Sequence, residues 1–214
     1  MLDRVRLLER RDIDELIVLD IAATPNKRGP RFEEVAQLCE NLFMPMTVGG
    51  GVRNVSDVAR LLRSGADKVA INTMAIEAPA TINDASRKFG SQAVVSSIDH
   101  RRGDVVKGGR EPTGLEVTEW AVELEDRGAG EILLTSVDRD GTMAGYDLDL
   151  IEQVTSRVSI PVIACGGCGS YEHMSQALNA GAHAVAAGAM FQFRETTPKG
   201  AARYLQGQGF QCRI

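Results

Sequence analysis

No apolar run in these 214 residues approaches the roughly 20 needed to cross a bilayer, so no membrane-spanning helix is expected. Basic runs are missing as well. With a net charge of −5, that argues against nucleic acid or an anionic membrane as a partner. The opening Met1–Arg11 segment is charged throughout and lacks a signal-peptide core, which makes the cytoplasm the expected location. No Pro/Ser-rich linker divides the chain, so residues 1–214 are expected to form a single domain with ample length for a core. Cysteine is scarce. Cys39, Cys165, Cys168 and Cys212 are too few and too scattered for a disulfide framework. Cys165 and Cys168 have redox or metal spacing but no second pair to complete it, so reduced thiols and no metal site are expected.

What the chain does contain is one stretch written twice. Pro45–Gly51, continued by Gly65–Met74, recurs as Pro161–Gly167, continued by Gly181–Met190. Pro45/Pro161, Gly50/Gly166, Gly65/Gly181 and Met74/Met190 are each 116 positions apart, with no insertion between the copies. The echo reaches backward too, because Leu8, Glu9, Arg11 and Glu15 recur as Leu124, Glu125, Arg127 and Glu131. A fixed offset marks a duplicated structural unit.

Each copy is a short apolar run without alternation, then glycines, an amphipathic stretch, Gly-Ala and a second apolar run. Runs of that kind belong to strands covered on both faces, as in a parallel sheet with crossover helices. The glycines therefore fall at strand ends. There, bare amides and the positive end of a following helix suit a phosphate. A tight strand-to-helix turn explains a single Gly-Gly equally well. Two copies, each followed at the next strand end by a small pair (Asn72-Thr73 and Gly188-Ala189), point to two phosphate sites.

Strands are read at Leu16–Ile21, after Pro45, at Lys68–Asn72, Gln92–Asp99 and Glu131–Val137, after Pro161, and at Ala184. Helices are read as the tail of one at Leu7–Arg11, then at Phe32–Cys39, from an Asn54 cap, and at Ala78–Phe89, Val117–Arg127, Leu148–Val158, Tyr171–Asn179 and Pro198–Leu205. The segment from His100 to Gly114 reads as a long polar loop, a candidate flap over a site. Trp120 reads as packing. Seven alternating βα units in two like halves predict an α/β fold, a (β/α)₈ TIM barrel of two half-barrels lacking its first βα unit. The partner of the strand ending at Asp99 would precede Met1. Another chain or an upstream segment is therefore expected to fill the gap.

Ile13–Ile21, Thr47–Gly51, Gly65–Thr73, Phe89–Val95 and above all Gly128–Thr142 are similar to the cyclase subunit of imidazole glycerol phosphate synthase, nearly end to end. That resemblance implies a duplicated (β/α)₈ barrel. It also implies a lyase that takes ammonia from a glutaminase subunit, in a heterodimer, and closes an imidazole ring on a bisphosphorylated ribulosyl-aminoimidazole-carboxamide nucleotide. The implied products are imidazole glycerol phosphate, for histidine biosynthesis, and an aminoimidazole carboxamide ribotide; no cofactor is implied. Asp99 matches a catalytic aspartate, although an aspartate at a strand end could instead cap a helix. Gly50, Gly51, Asn72 and Thr73 match one phosphate site, and Gly166, Gly167, Gly188 and Ala189 the other. Thr135, Asp138 and Asp140 match the substrate cleft, with a hydrogen-bonded turn as the plain alternative for the two aspartates. Glu15, Lys68 and Glu131 match an ammonia gate, or form an ordinary ion-pair cluster. Asp67 matches a partner contact, or is a solvated charge.

The resemblance also shows departures. The family's first strand, with a second catalytic aspartate, the gate arginine and a lysine-bearing loop, has no counterpart in these residues, and Ala189 stands where a serine is frequent. Arg28–Pro30, Leu42–Pro45 and Ile163–Gly167 look more like cyclase-like paralogues that supply ammonia for sugar amidation in surface-polysaccharide biosynthesis. A barrel that binds phosphosugar without turnover is the non-enzymatic alternative, and an isomerase of the same pathway fits less well.

Overall fold

The computed structural model describes residues 5, 7, 9–40 and 42–213. Leu8 of the repeat lies outside them. Of the expected Leu7–Arg11 helix tail, Leu7 and Glu9 are helical, and the chain turns at Arg10.

In chain order the strands are β1 (Leu16–Leu19), β2 (Met46–Gly49), β3 (Lys68–Ile71), β4 (Val94–Arg101), β5 (Asp104–Lys107), β6 (Glu111–Glu116), β7 (Glu131–Ser136), β8 (Val162–Cys165) and β9 (Ala184–Val185). The α-helices are α1 (Phe32–Cys39), α2 (Val55–Arg63), α3 (Thr73–Glu77), α4 (Ala80–Phe89), α5 (Val117–Asp126), α6 (Leu148–Thr155), α7 (Tyr171–Asn179), α8 (Ala189–Phe193) and α9 (Pro198–Gly207). The unalternating apolar runs lie side by side in the order β1-β2-β3-β4-β7-β8-β9, every pair parallel. All four residues of β2 are buried, as strands covered on both faces must be.

The sheet curls. Ile17 on β1 and Ile163 on β8 pack against one inner cluster of Ala70, Val95 and Leu133, although four strands separate them in the sheet. A larger outer cluster, including Val58, Leu61, Ile82, Leu124 and Ile132, glues helices to strands. Among the described residues β1 pairs only with β2 and β9 only with β8. Across that open side, Arg11 Nη1 donates to the Phe191 carbonyl at 3.4 Å, and Lys199 Nζ pairs with Asp12 at 2.9 Å. No helix among the described residues is long and apolar enough to cross a membrane.

The offset of 116 governs the architecture as well as the residues. Moving α1, β2, α2 and α3 forward by 116 lands them on the printed limits of α6, β8, α7 and α8. Even the caps repeat. Asn54 accepts the Asp57 N–H and Ser170 accepts the His173 N–H, each with its side-chain oxygen.

Two expectations are corrected. Residues 100–114 do not form a loop: β4 runs on to Arg101, and β5 and β6 pair antiparallel as a hairpin. Glycines and Pro112 hide the alternation, while the cross-strand ladder supplies the order. The helix read from Ala78 begins at Ala80, because the short α3 ends at Glu77 and the chain turns at Ala78–Pro79.

Candidate functional site

The carboxyl ends of β1 to β4 enclose a cavity of about 320 Å³. It is lined by Asp20, Gly50, Gly51, Asn72, Thr73 and Asp99, together with residues of the β1–α1 loop and the hairpin. Gly50 (φ +102) is there because the chain crosses itself: a Cβ would sit 2.4 Å from the Asp20 carbonyl oxygen. In the other half a Cβ on Gly166 would sit 2.5 Å from the Ser136 carbonyl oxygen, and Ser136 is the residue 116 positions after Asp20. The same crossing is therefore built twice. These contacts account for the glycines as turn residues, and the open space in front of the first pair is what a phosphate reading adds.

Asp99 closes the cavity floor. Burial pushes its carboxyl up to about 6 against a hydrogen bond from Ser97 that lowers it, and the nearby Asp140 carboxylate adds to the rise. Such a group can both take and give a proton near neutrality. Asp20, on the same rim, is different. Arg28 grips it at 2.6 and 2.8 Å and Arg31 approaches to 3.3 Å, so its carboxyl is held below the usual range, mainly by the Arg28 hydrogen bond. Asp20 orders its loop.

Asn72 is fully engaged: its Nδ2 donates to the Ser97 carbonyl at 3.1 Å, and its Oδ1 accepts the Gly108 N–H at 3.0 Å. Through that bond the β5–β6 hairpin stands over the cavity, as expected of a flap. Lys107, Gly108, Arg110 and Glu111 all line it. Their individual roles were not readable in the sequence, since only strand pairing brings residues 107–111 back onto β3. Lys27, on the β1–α1 loop, is a further lining residue that the sequence did not single out.

The other expected residues form the matching rim of the second half and do not line this cavity. Thr135 Oγ1 is buried beside the Cys165 thiol; burial pushes that thiol up to about 11 against a hydrogen bond with Thr135 that lowers it, and Asp140 and Asp99 add to the rise. Asp138 pairs with Arg101 at 3.1 Å, tying the hairpin strand to the β7–α6 loop. The Asp140 amide donates to the Ser136 carbonyl at 2.9 Å, the hydrogen-bonded turn anticipated as its plain reading. Gly167 backs onto the Gly145 carbonyl, Gly188 faces open space, and Ala189 begins α8. Cys168 packs on Met190, with sulfurs 3.6 Å apart, and so has different neighbours from Cys165. Among the described residues no group of three His, Cys, Asp or Glu could hold a metal ion.

At the opposite mouth, where the strands begin, Lys68 Nζ reaches Glu131 Oε1 at 2.6 Å and Glu15 Oε2 at 3.1 Å. Burial pulls the ammonium down, but hydrogen bonds to Glu131 and Glu15 outweigh it and leave Lys68 above its usual value. Glu131 Oε2 is buried with no hydrogen-bond partner among the described residues. Asp67, next to Lys68, accepts the Met46 N–H at 2.7 Å and lines a separate cavity of about 300 Å³ beside the fully exposed Phe43.

Residues 1–197 match the family described as histidine biosynthesis protein. The chain is 45% identical to the imidazole glycerol phosphate synthase subunit HisF of Dictyoglomus thermophilum over 215 residues, covering 98% of this chain and 85% of that protein. It is 47% identical to the subunit of the same name from Pyrobaculum aerophilum over 211 residues, covering 96% of this chain and 83% of that one.

Proposed function

The chain belongs to the histidine biosynthesis protein family, and from that premise we propose that it is the cyclase of imidazole glycerol phosphate synthase. In this reading it is a lyase that uses ammonia to close the imidazole ring on a ribulosyl-aminoimidazole-carboxamide nucleotide, releasing imidazole glycerol phosphate and aminoimidazole carboxamide ribotide. The observation that carries the site assignment is Asp99: a half-buried carboxyl poised near pH 6, two residues before the end of β4, in one cavity with Gly50, Gly51, Asn72 and Thr73.

In this reading Asp99 moves protons to and from the substrate during ring closure. Gly50, Gly51, Asn72 and Thr73 hold one phosphate, and Gly166, Gly167, Gly188 and Ala189 hold the other. Thr135, Asp138 and Asp140 line the cleft between. Ammonia enters past Glu15, Lys68 and Glu131, and Glu131 Oε2, which has no hydrogen-bond partner among the described residues, is an acceptor for its N–H. A glutaminase subunit docks on that face, touching Asp67, and the pair works in the cytoplasm. The chain acts as one barrel domain.

Turnover of the ribulosyl nucleotide with an ammonium salt tests this directly. Asp99→Asn is expected to lower kcat by about 10²- to 10⁴-fold, the usual contribution of a positioned acid–base group. Equal rates for the two proteins would remove Asp99 from the chemistry.

A further inference from the structure

We propose that Arg110, at the tip of the β5–β6 hairpin, and Lys27, on the β1–α1 loop, form a two-cation clamp for a phosphate group at the mouth of the first cavity. The inference deepens the function proposed above and rests on it for the identity of the phosphate's owner.

The argument begins with a charge inventory of the cavity wall. Asp20 is neutralised by Arg28 and Arg31, and Lys107 is shared between Glu77 at 3.1 Å and Glu111 at 2.9 Å. Arg110 and Lys27 line the same wall, and among the described residues neither side chain has a hydrogen bond or an ion pair.

Nor is Arg110 free to drift away. The Gly108 amide is latched to Asn72, Asn72 to β4, and Lys107 to Glu77 on α3. Gly108 and Gly109, at φ +57 and +70, turn the tip, and a Cβ on Gly109 would lie in ordinary contact with Asp99 Oδ2 at 3.5 Å. Lys27 is likewise held in a turn, its amide donating to the Thr24 carbonyl at 2.9 Å. Two loops from different strands are thus fixed so that each sends an unpaired cation to one opening. Anion binding gains from such placement, because the ordering is done before the ligand arrives.

The test measures binding of ribose 5-phosphate by calorimetry at low ionic strength, beside turnover of the ribulosyl nucleotide with an ammonium salt. Arg110→Gln and Lys27→Gln are each expected to weaken ribose 5-phosphate binding about 5- to 10-fold, and the double variant about 30-fold or more, as loss of charge-assisted contacts predicts. Salt sensitivity should fall with them. KM for the nucleotide should rise in parallel while kcat stays within about threefold, and Arg110→Lys should recover part of the loss. Both side chains are exposed and unpaired, so the variants should melt with the wild type. A double variant that binds ribose 5-phosphate as the wild type does, or a wild type that does not bind it, overturns the clamp. Weakened binding without turnover by the wild type would leave the clamp standing and sink the assigned reaction. Turnover with unchanged binding and KM in the double variant would do the reverse.

Discussion

The ammonium of Lys68, at the start of β3, sits 2.6 Å from Glu131 Oε1 at the start of β7, so one bond spans the mouth of the barrel between its two halves. Both side chains are mostly buried, with relative exposures of 17% and 19%. Removing one partner therefore strands the other. Lys68→Met should cost about 2–4 kcal/mol of stability, and Lys68→Met combined with Glu131→Gln should restore part of that loss. Denaturant melts of the four proteins of this cycle measure the coupling, and additive effects would show that the bond has no energetic role. With a glutaminase present, Lys68→Met should impair glutamine-dependent turnover more than ammonia-dependent turnover.

Asp99 makes stability depend on pH. Its folded pKa of about 6 lies above the ordinary 3.8, so the folded state binds its proton more tightly than the unfolded chain does. Its contribution is fully present below pH 3.8 and is lost as pH rises through 6. Asp99→Asn should therefore stabilise the protein at pH 8 by up to about 3 kcal/mol, less after allowance for solvent access, and by little at pH 4. Melts at both values check the difference. The wild-type kcat/KM profile should bend near pH 6.

Gly50→Ala and Gly166→Ala should each destabilise by more than about 2 kcal/mol, since both combine a positive φ with a Cβ driven into backbone at 2.4 and 2.5 Å. Gly188→Ala is the control. Nothing among the described residues lies within 4 Å of where its Cβ would sit and its φ is −115, so stability should change by less than about 0.5 kcal/mol. If residue 188 faces the second phosphate, the added methyl should still raise KM.

The matched helix caps provide a test of the duplication. Asn54→Ala and Ser170→Ala each remove one side-chain acceptor at the start of a nine-residue helix, and each should cost about 1 kcal/mol. Losses differing by more than about 1 kcal/mol would show that the two halves have diverged energetically where their geometry has not.

Much of this molecule is written locally. The unalternating apolar runs and the caps at Asn54 and Ser170 determine seven parallel strands and the limits of α1 and α7, because each of these signals lies within one turn or one strand, and the repeat at 116 positions shows the likeness of the halves by comparison of the sequence with itself. They also place the paired glycines at strand ends and Asp99 near one, although β4 continues two residues past it to Arg101. What tertiary structure alone decides is which charges meet. Asp20 and Asp99 both close apolar runs, yet Arg28 neutralises one and burial keeps the other protonatable. Asp138 is engaged by Arg101, Lys68 joins carboxylates from β7 and the approach to β1, and a stretch that reads as loop becomes a hairpin carrying Arg110 over the cavity. Periodicity reports how one segment meets its own surroundings; ion pairs and cross-strand ladders depend on distances between segments far apart in the chain, and those exist only once the sheet has curled.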